Sequence, residues 1–161
     1  MEYLVTDKAR EHCNQHFGDS GKSGSKFNTA VFPSLESILA AIKSNSPNRI
    51  IEQKSGRFAH IYEFNNIDFC GWTGVGKRSE YAVIETEIRN GFATEFARVN
   101  SLPQTNLITV ISEFKDGTYS LITIFPGDYA PPFPYDGMLP DEKEKAVLYW
   151  RENVLLKQVF S

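Results

Sequence analysis

The strongest constraint on the fold is a change in hydrophobic period near residue 48. Before this point apolar residues recur at helical spacing, as in the stripe Leu35, Ile38, Leu39 and Ile42. After it, apolar and polar residues alternate as in β-strands, as far as residue 125. Because helices and strands are segregated along the chain, we expect an α+β fold rather than a doubly wound sheet.

Two N-terminal helices are predicted, over residues 6–17 and 34–45. Thr6 and Ser34 stand immediately before the helical patterns and are typical N-cap residues. Gly18 ends the first helix, and the Gly- and Ser-rich residues after it predict a loop.

The second part of the chain predicts an antiparallel sheet that curls on itself. The predicted strands are residues 49–53, 57–64, 81–88, 107–114 and 118–125. Asp116-Gly117 predicts a tight hairpin between the last two strands, and Asn90-Gly91 predicts another turn. The glycine-punctuated residues 71–76 predict a loop.

The C-terminal part predicts an irregular segment followed by a helix. Five prolines in residues 126–140 exclude regular structure there. Residues 141–158 predict a helix whose apolar residues would cover the sheet: Ala146, Tyr149, Trp150, Val154 and Leu155. We expect one domain over 1–161, with a helical part (1–48), a sheet (49–125) and the Pro-rich segment with the C-terminal helix (126–161).

Composition and charge narrow the functional classes to which the protein can belong. The chain has 161 residues and a net charge of −3, which disfavours a general nucleic-acid binder. Charge is uneven, with ten Lys/Arg against eight Asp/Glu in residues 1–79, so an anion-binding surface is expected there. Two cysteines and no apolar targeting or membrane segment favour reduced thiols, a cytoplasmic site of action and no membrane partner.

The stretch HCNQHFGDSGKSGSKF, residues 12–27, contains the most distinctive chemistry. Its GKS is not a phosphate-binding P-loop, because the motif needs glycine where His16 stands and must follow a strand. His12 and His16 lie one helical turn apart, as in zinc proteases, but Cys13 stands where those enzymes have glutamate. No spacing singles out a third ligand among Glu11, Asp19 and His60, so no metal or cofactor is predicted.

The same stretch suits acid–base cleavage of RNA. Two imidazoles can remove the proton of the 2′-hydroxyl and protonate the 5′-oxygen without a metal. Lys22 or Lys26 can stabilise the charge that develops on the phosphate. An exposed histidine pair without a catalytic role remains the alternative.

The order of these features resembles the barnase–EndoU–colicin–RelE superfamily of metal-independent ribonucleases, and most of all its EndoU-type toxins. The resemblance rests on two helical histidines before the GKSGSKF loop, a second amphipathic helix, and a C-terminal hairpin ending in SLITIFPG. It implies a general base and acid at His12 and His16 and a phosphate-stabilising lysine at Lys26 or Lys22. It also implies a hydroxyl at Thr123 that contacts base or phosphate.

Further residues are candidates for substrate binding. Thr123 is predicted to share a strand face with Tyr119, Leu121 and Phe125, where a half-buried structural threonine is equally plausible. His60 is a candidate contact or a structural sheet histidine. Arg57, Lys77 and Arg78 are candidate contacts to the RNA backbone or ordinary surface charges.

Three functions are compatible with the sequence. The first is an endoribonuclease toxin that leaves a 2′,3′-cyclic phosphate, with RNA (tRNA among the candidates) as substrate and a cognate immunity protein as partner. The second is a non-catalytic antidote protein that binds through its acidic C-terminal half and the aromatic residues of YAPPFPYDGM. The third is a zinc hydrolase.

Overall fold

The structure is a computed structural model that describes residues 1–17, 24–77, 83–89, 92–99 and 102–158. For residues 76–77, 83–89, 92–99 and 154–158 the description covers the backbone alone.

Three helices occur in the described residues: α1 (Asp7–Asn14), α2 (Leu35–Lys43) and α3 (Pro140–Glu152). The two predicted N-caps are confirmed. Thr6 Oγ1 accepts a hydrogen bond from the Ala9 amide, and Ser34 forms a capping box with Ser37. The first helix ends three residues before its predicted limit, which places His16 in the turn that follows it.

The strands of the described chain form three sheets. The strands are β1 (Lys26–Phe27), β2 (Arg49–Glu52), β3 (Arg57–Glu63), β4 (Gly71–Trp72), β5 (Val75–Lys77), β6 (Val83–Arg89), β7 (Phe92–Val99), β8 (Gln104–Thr105), β9 (Leu107–Lys115), β10 (Thr118–Pro126) and β11 (Asn153–Gln158). The sheet orders are β10-β9-β3-β2, β1-β4-β8 and β5-β11-β7-β6. The predicted α+β class, with helices at both ends of the chain, is confirmed.

The sheet β10-β9-β3-β2 is antiparallel throughout and has two differently covered faces. One face, here the helix-side face, packs Val110 and Ile124 against Ile38 and Ile42 of α2, all fully buried. Alternation along the strands puts a smaller cluster around Ile111 on the opposite, second face.

The hairpin between β9 and β10 has the predicted turn. Lys115 pairs with Thr118, so the loop has two residues, and Asp116 (φ 54°) and Gly117 (φ 76°) both have positive φ. Positive φ at both central positions is the backbone of a type I′ turn, whose twist matches that of the strands.

A β-bulge in β10 determines which face Thr123 occupies. Leu121 pairs with Ser112 and Thr123 pairs with Ile111, so Ile122 is an extra residue in β10. Leu121 therefore points into the helix-side core, whereas Thr123 lines a cavity on the second face together with Ile111. The prediction that Thr123 shares a face with Tyr119 and Leu121 is wrong, because strict alternation does not hold across a bulge.

Two other predicted elements differ from the structure. The helix predicted over 141–158 ends at Glu152, and β11 follows, antiparallel to β5 and parallel to β7. Residues 71–76, predicted as a loop, supply β4 and the start of β5. The turn predicted at Asn90-Gly91 lies outside the described residues.

The Pro-rich residues 127–139 have no helix or strand, as predicted, and pack beside the second face. We call them the Pro-rich segment. Tyr129 packs against the Ile111 cluster, and its hydroxyl accepts a hydrogen bond from Gln53 Nε2 at 2.5 Å. Trp150 of α3 donates from Nε1 to the Pro131 carbonyl at 3.1 Å and stacks on Phe133, which fastens α3 to the segment.

No helix in the described part of the chain has the length and apolar character needed to span a bilayer.

Candidate active site

The two histidines of the opening motif lie together at the C-terminal end of α1. His12 is in the last turn and is exposed to solvent, whereas His16 is half-buried just beyond the helix. Their ring centroids are 6.5 Å apart and their planes are nearly perpendicular, at 83°. The two imidazoles therefore lie close together in different environments, one exposed to solvent and one half-buried.

A backbone hydrogen bond orients His16. Its Nδ1 lies 2.8 Å from the Ser25 carbonyl oxygen, which can only accept, so Nδ1 donates and Nε2 is the acceptor nitrogen of the neutral ring. The rings of Phe27 and Phe125 flank the imidazole, each with its centroid 6.4 Å away. Burial lowers the pKa of His16 to about 4, although the bond to Ser25 favours the charged form. His16 is thus neutral at pH 7 and can act as a base.

Lys26, the first residue of β1, lies close to the histidine pair. Its Nζ donates to the Gln15 carbonyl at 2.6 Å, and the neighbouring Phe27 amide donates to the His16 carbonyl at 2.8 Å. A cation at this position interacts favourably with the carbonyl end of α1 and also lies close enough to His16 to lower its pKa. Lys22, the other candidate lysine, lies outside the described residues.

Thr123 and Arg57 line a cavity of about 190 Å³ on the second face, together with Gln53, Phe125 and Tyr129. Within the described chain, Thr123 Oγ1 is buried and has no hydrogen-bond partner. Phe125 links this cavity to the histidines, since its ring is also a neighbour of His16. Phe125 therefore adjoins both the cavity that Thr123 and Arg57 line and the imidazole of His16.

His60 lies apart from this group. It is on the helix-side face and fully buried, and its Nδ1 lies 2.9 Å from the Tyr3 hydroxyl. Tyr3 also bonds to Tyr62, at 2.8 Å, and the Tyr119 ring packs on the imidazole with centroids 5.0 Å apart. Burial lowers the pKa of His60, which favours the neutral ring. These contacts give His60 the role of a packed core histidine, and the structure does not bring it to the substrate-binding candidates.

The remaining candidates are described in part or not at all. Lys77 ends β5, where its backbone pairs with Asn153, and Arg78 lies outside the described residues. Among the residues that the structure describes, no three His, Cys, Asp or Glu side chains are grouped to hold a metal ion. Cys13 and Cys70 are buried, and burial raises the pKa of their thiols to about 11 and about 12.

The sequence did not single out three residues of this region: Ser25, Gln53 and Tyr129. Ser25 acts through its carbonyl, which no side-chain pattern reveals. Gln53 and Tyr129 meet only because the Pro-rich segment folds back onto the sheet. The aromatic content of that segment is the one signal in the sequence, and by itself it favours a protein interface.

No protein-family model, curated protein or solved structure matches this chain. The resemblance to metal-independent ribonucleases therefore stays a prediction.

Proposed function

We propose that the protein is a metal-independent endoribonuclease that cleaves RNA by histidine acid–base catalysis. The observation that supports this proposal is the pairing of a half-buried, neutral His16 with an exposed His12 at 6.5 Å, beside Lys26. Two titratable groups in contrasting environments are the arrangement that acid–base catalysis needs.

The environments suggest which histidine has which role. His16 has Nδ1 committed to Ser25, so its Nε2 can accept the proton of a ribose 2′-hydroxyl. The 2′-oxygen then bonds to phosphorus while the bond from phosphorus to the 5′-oxygen breaks. Exposed His12 delivers a proton to that leaving oxygen, and the products are a 2′,3′-cyclic phosphate and a 5′-hydroxyl. Lys26 balances the charge on the phosphate in the transition state.

The second face offers a surface for the rest of the substrate. Arg57 can pair with a neighbouring phosphate, and the buried Thr123 hydroxyl can bond to a base or phosphate oxygen. The aromatic rings of Phe125 and Tyr129 suit base stacking, which is the usual mode of binding single-stranded RNA. RNA reaches such a site in the cytoplasm, and a cognate immunity protein would protect the producing cell.

The test is cleavage of total RNA and tRNA in EDTA by wild type, His12→Ala, His16→Ala and the matched surface control Lys8→Ala. We expect cyclic-phosphate ends from wild type and Lys8→Ala, and at least a ~100-fold loss for each histidine variant. Circular dichroism would establish that the variants fold. Undiminished activity in both histidine variants, or no cleavage by folded wild type, would exclude the mechanism.

An antidote-type binding protein is the second candidate. It is favoured by two exposed apolar residues of the Pro-rich segment, Tyr135 at 42% and Leu139 at 43% exposure. Expression in a bacterial host separates the two functions, since a ribonuclease should arrest growth in a His16-dependent manner and an antidote should not.

A further inference from the structure

A separate cavity of about 310 Å³ lies between α3, β2 and the Pro-rich segment. We call it the α3 cavity. Its apolar walls come from Ile51, Pro131 and Met138, and two tyrosines, Tyr129 and Tyr149, complete them. The volume lies at the lower end of the range for small-molecule sites, about 300–1,000 Å³. Apolar walls with a few polar groups are also what such sites usually have.

The charged residues of this cavity favour a cation. Glu52, Asp141 and Glu142 contribute three carboxylates, against the two ammonium groups of Lys54 and Lys145. Lys54 and Asp141 are paired with each other, with Lys54 Nζ 2.5 Å from Asp141 Oδ2, which leaves Glu52 and Glu142 against Lys145. The lining therefore has an excess of negative charge next to apolar walls.

Burial and nearby carboxylates disfavour the charged form of both tyrosines. Burial raises the pKa of Tyr129, the hydrogen bond from Gln53 opposes the rise, the Glu142 charge adds to it and the Arg57 charge opposes it. Burial also raises the pKa of Tyr149 to about 12, and the Asp128 charge contributes to that rise. Only the carboxylate charges that add to these shifts would also favour a bound cation, and the faces of the tyrosine rings attract cations through their quadrupoles.

We propose that the α3 cavity binds a small organic cation, an ammonium or guanidinium group on an aromatic or short aliphatic body. The apolar body would pack between Ile51, Met138 and the tyrosine rings, and the cationic group would face Glu52 and Glu142. The site is distinct from the histidine pair and does not depend on RNA cleavage.

Three probes of similar shape and different charge test the proposal: 2-phenylethylamine, 2-phenylethanol and 3-phenylpropionate. Titration of the full chain, followed by calorimetry and by NMR, should show saturable binding of one equivalent of the amine. The alcohol should bind about tenfold more weakly, because it lacks the charge, and the anion more weakly still. Equal affinities for the three probes, or no binding of the amine at about 10 mM, would overturn the proposal.

Two matched pairs of variants test whether the amine binds in the α3 cavity. Met138→Trp fills the cavity and should abolish binding, whereas Leu148→Trp adds the same side chain at an exposed position of α3 that does not line it. Glu52→Gln should weaken amine binding about threefold or more, and the exposed Glu144→Gln should not. Glu52 is exposed on an edge strand, so this pair keeps the test valid if Met138→Trp fails to fold. Binding unaffected by Glu52→Gln would refute the assignment.

Discussion

Replacing Thr123 by valine should stabilise the fold while it weakens RNA cleavage. The Thr123 hydroxyl is buried, and in the described chain it has no hydrogen-bond partner. An unsatisfied buried hydroxyl costs roughly 1–3 kcal/mol, and valine has nearly the same shape without that group. We therefore expect the free energy of unfolding to rise by about 1 kcal/mol, which corresponds to a Tm increase of roughly 2–4 °C at this chain length.

Thr109→Val is the matched control on the same sheet. Thr109 is fully buried, and its hydroxyl donates to the Gly127 carbonyl at 2.8 Å. The substitution removes this bond and leaves a buried carbonyl without its donor, so the free energy of unfolding should fall by about 1–3 kcal/mol. The same chemical change at Thr109 and Thr123 should thus have opposite signs.

Urea denaturation followed by tryptophan fluorescence and circular dichroism would measure both variants, with cleavage rates measured at 25 °C. Destabilisation by Thr123→Val as large as that by Thr109→Val would refute the claim that Thr123 has an unused hydroxyl. A stabilised Thr123→Val with unchanged cleavage would instead show that this hydroxyl has no part in RNA binding or chemistry. The proposed function predicts a loss of about tenfold or more in cleavage rate.

Three further predictions concern other parts of the molecule. The pKa of His16 is about 4 in the folded protein, against an ordinary value of 6.5, so the unfolded chain binds more protons between these values. Acidification from pH 6.5 to pH 4 should therefore reduce stability, and His16→Asn should flatten this part of the urea-midpoint curve; superimposable curves would contradict the assignment. In Gly71→Ala the Cβ would overlap the Lys26 carbonyl oxygen, so β1 must shift. We expect a loss of about 2–4 kcal/mol, and an unchanged Tm would show that β1 can move at little cost. Trp150→Phe keeps the stacking on Phe133 but removes the donor to Pro131, at a cost of about 1–2 kcal/mol by urea denaturation, and a cost near zero would mean that this bond is not maintained in solution.

The features of the fold that the sequence predicted are those specified by local chemistry. Thr6 and Ser34 cap helices through bonds to amides within three residues, so the signal lies next to its effect. Asp116-Gly117 supplies the two positive φ values of the hairpin turn within two residues. The hydrophobic pattern has a helical period in one part of the chain and an alternating period in another, and this separation was sufficient to predict the α+β class.

The features that were missed depend on distant partners. Residues 153–158 contain a short apolar run that is compatible with a strand and equally with a continuation of the apolar stripe of α3. They form a strand because they pair with β5 and β7. The bulge at Ile122 has no local signature, yet it moves Thr123 to the other face of the sheet.

The sequence predicts only part of the candidate site, because the other part depends on contacts between distant residues. His12, His16 and Lys26 are close in sequence, so their proximity follows from one helix and one loop. Burial of His60 against Tyr3 joins residues 57 positions apart, and no periodicity in β3 reveals it. Contact of the Pro-rich segment with Gln53 likewise depends on the tertiary fold.

The position of β11 has a consequence for the order in which the protein is made. Asn153–Gln158 lies between β5 and β7 in its sheet, although both neighbours are synthesised long before it. At about 5–20 residues per second, the ribosome needs on the order of 3–10 s to pass from the end of β7 to β11. During that delay the edges of β5 and β7 that receive β11 lack their native partner, and such edges can pair with other chains. Each newly made molecule therefore passes through an interval, set by the speed of translation, in which these two strand edges are open to pairing with other chains.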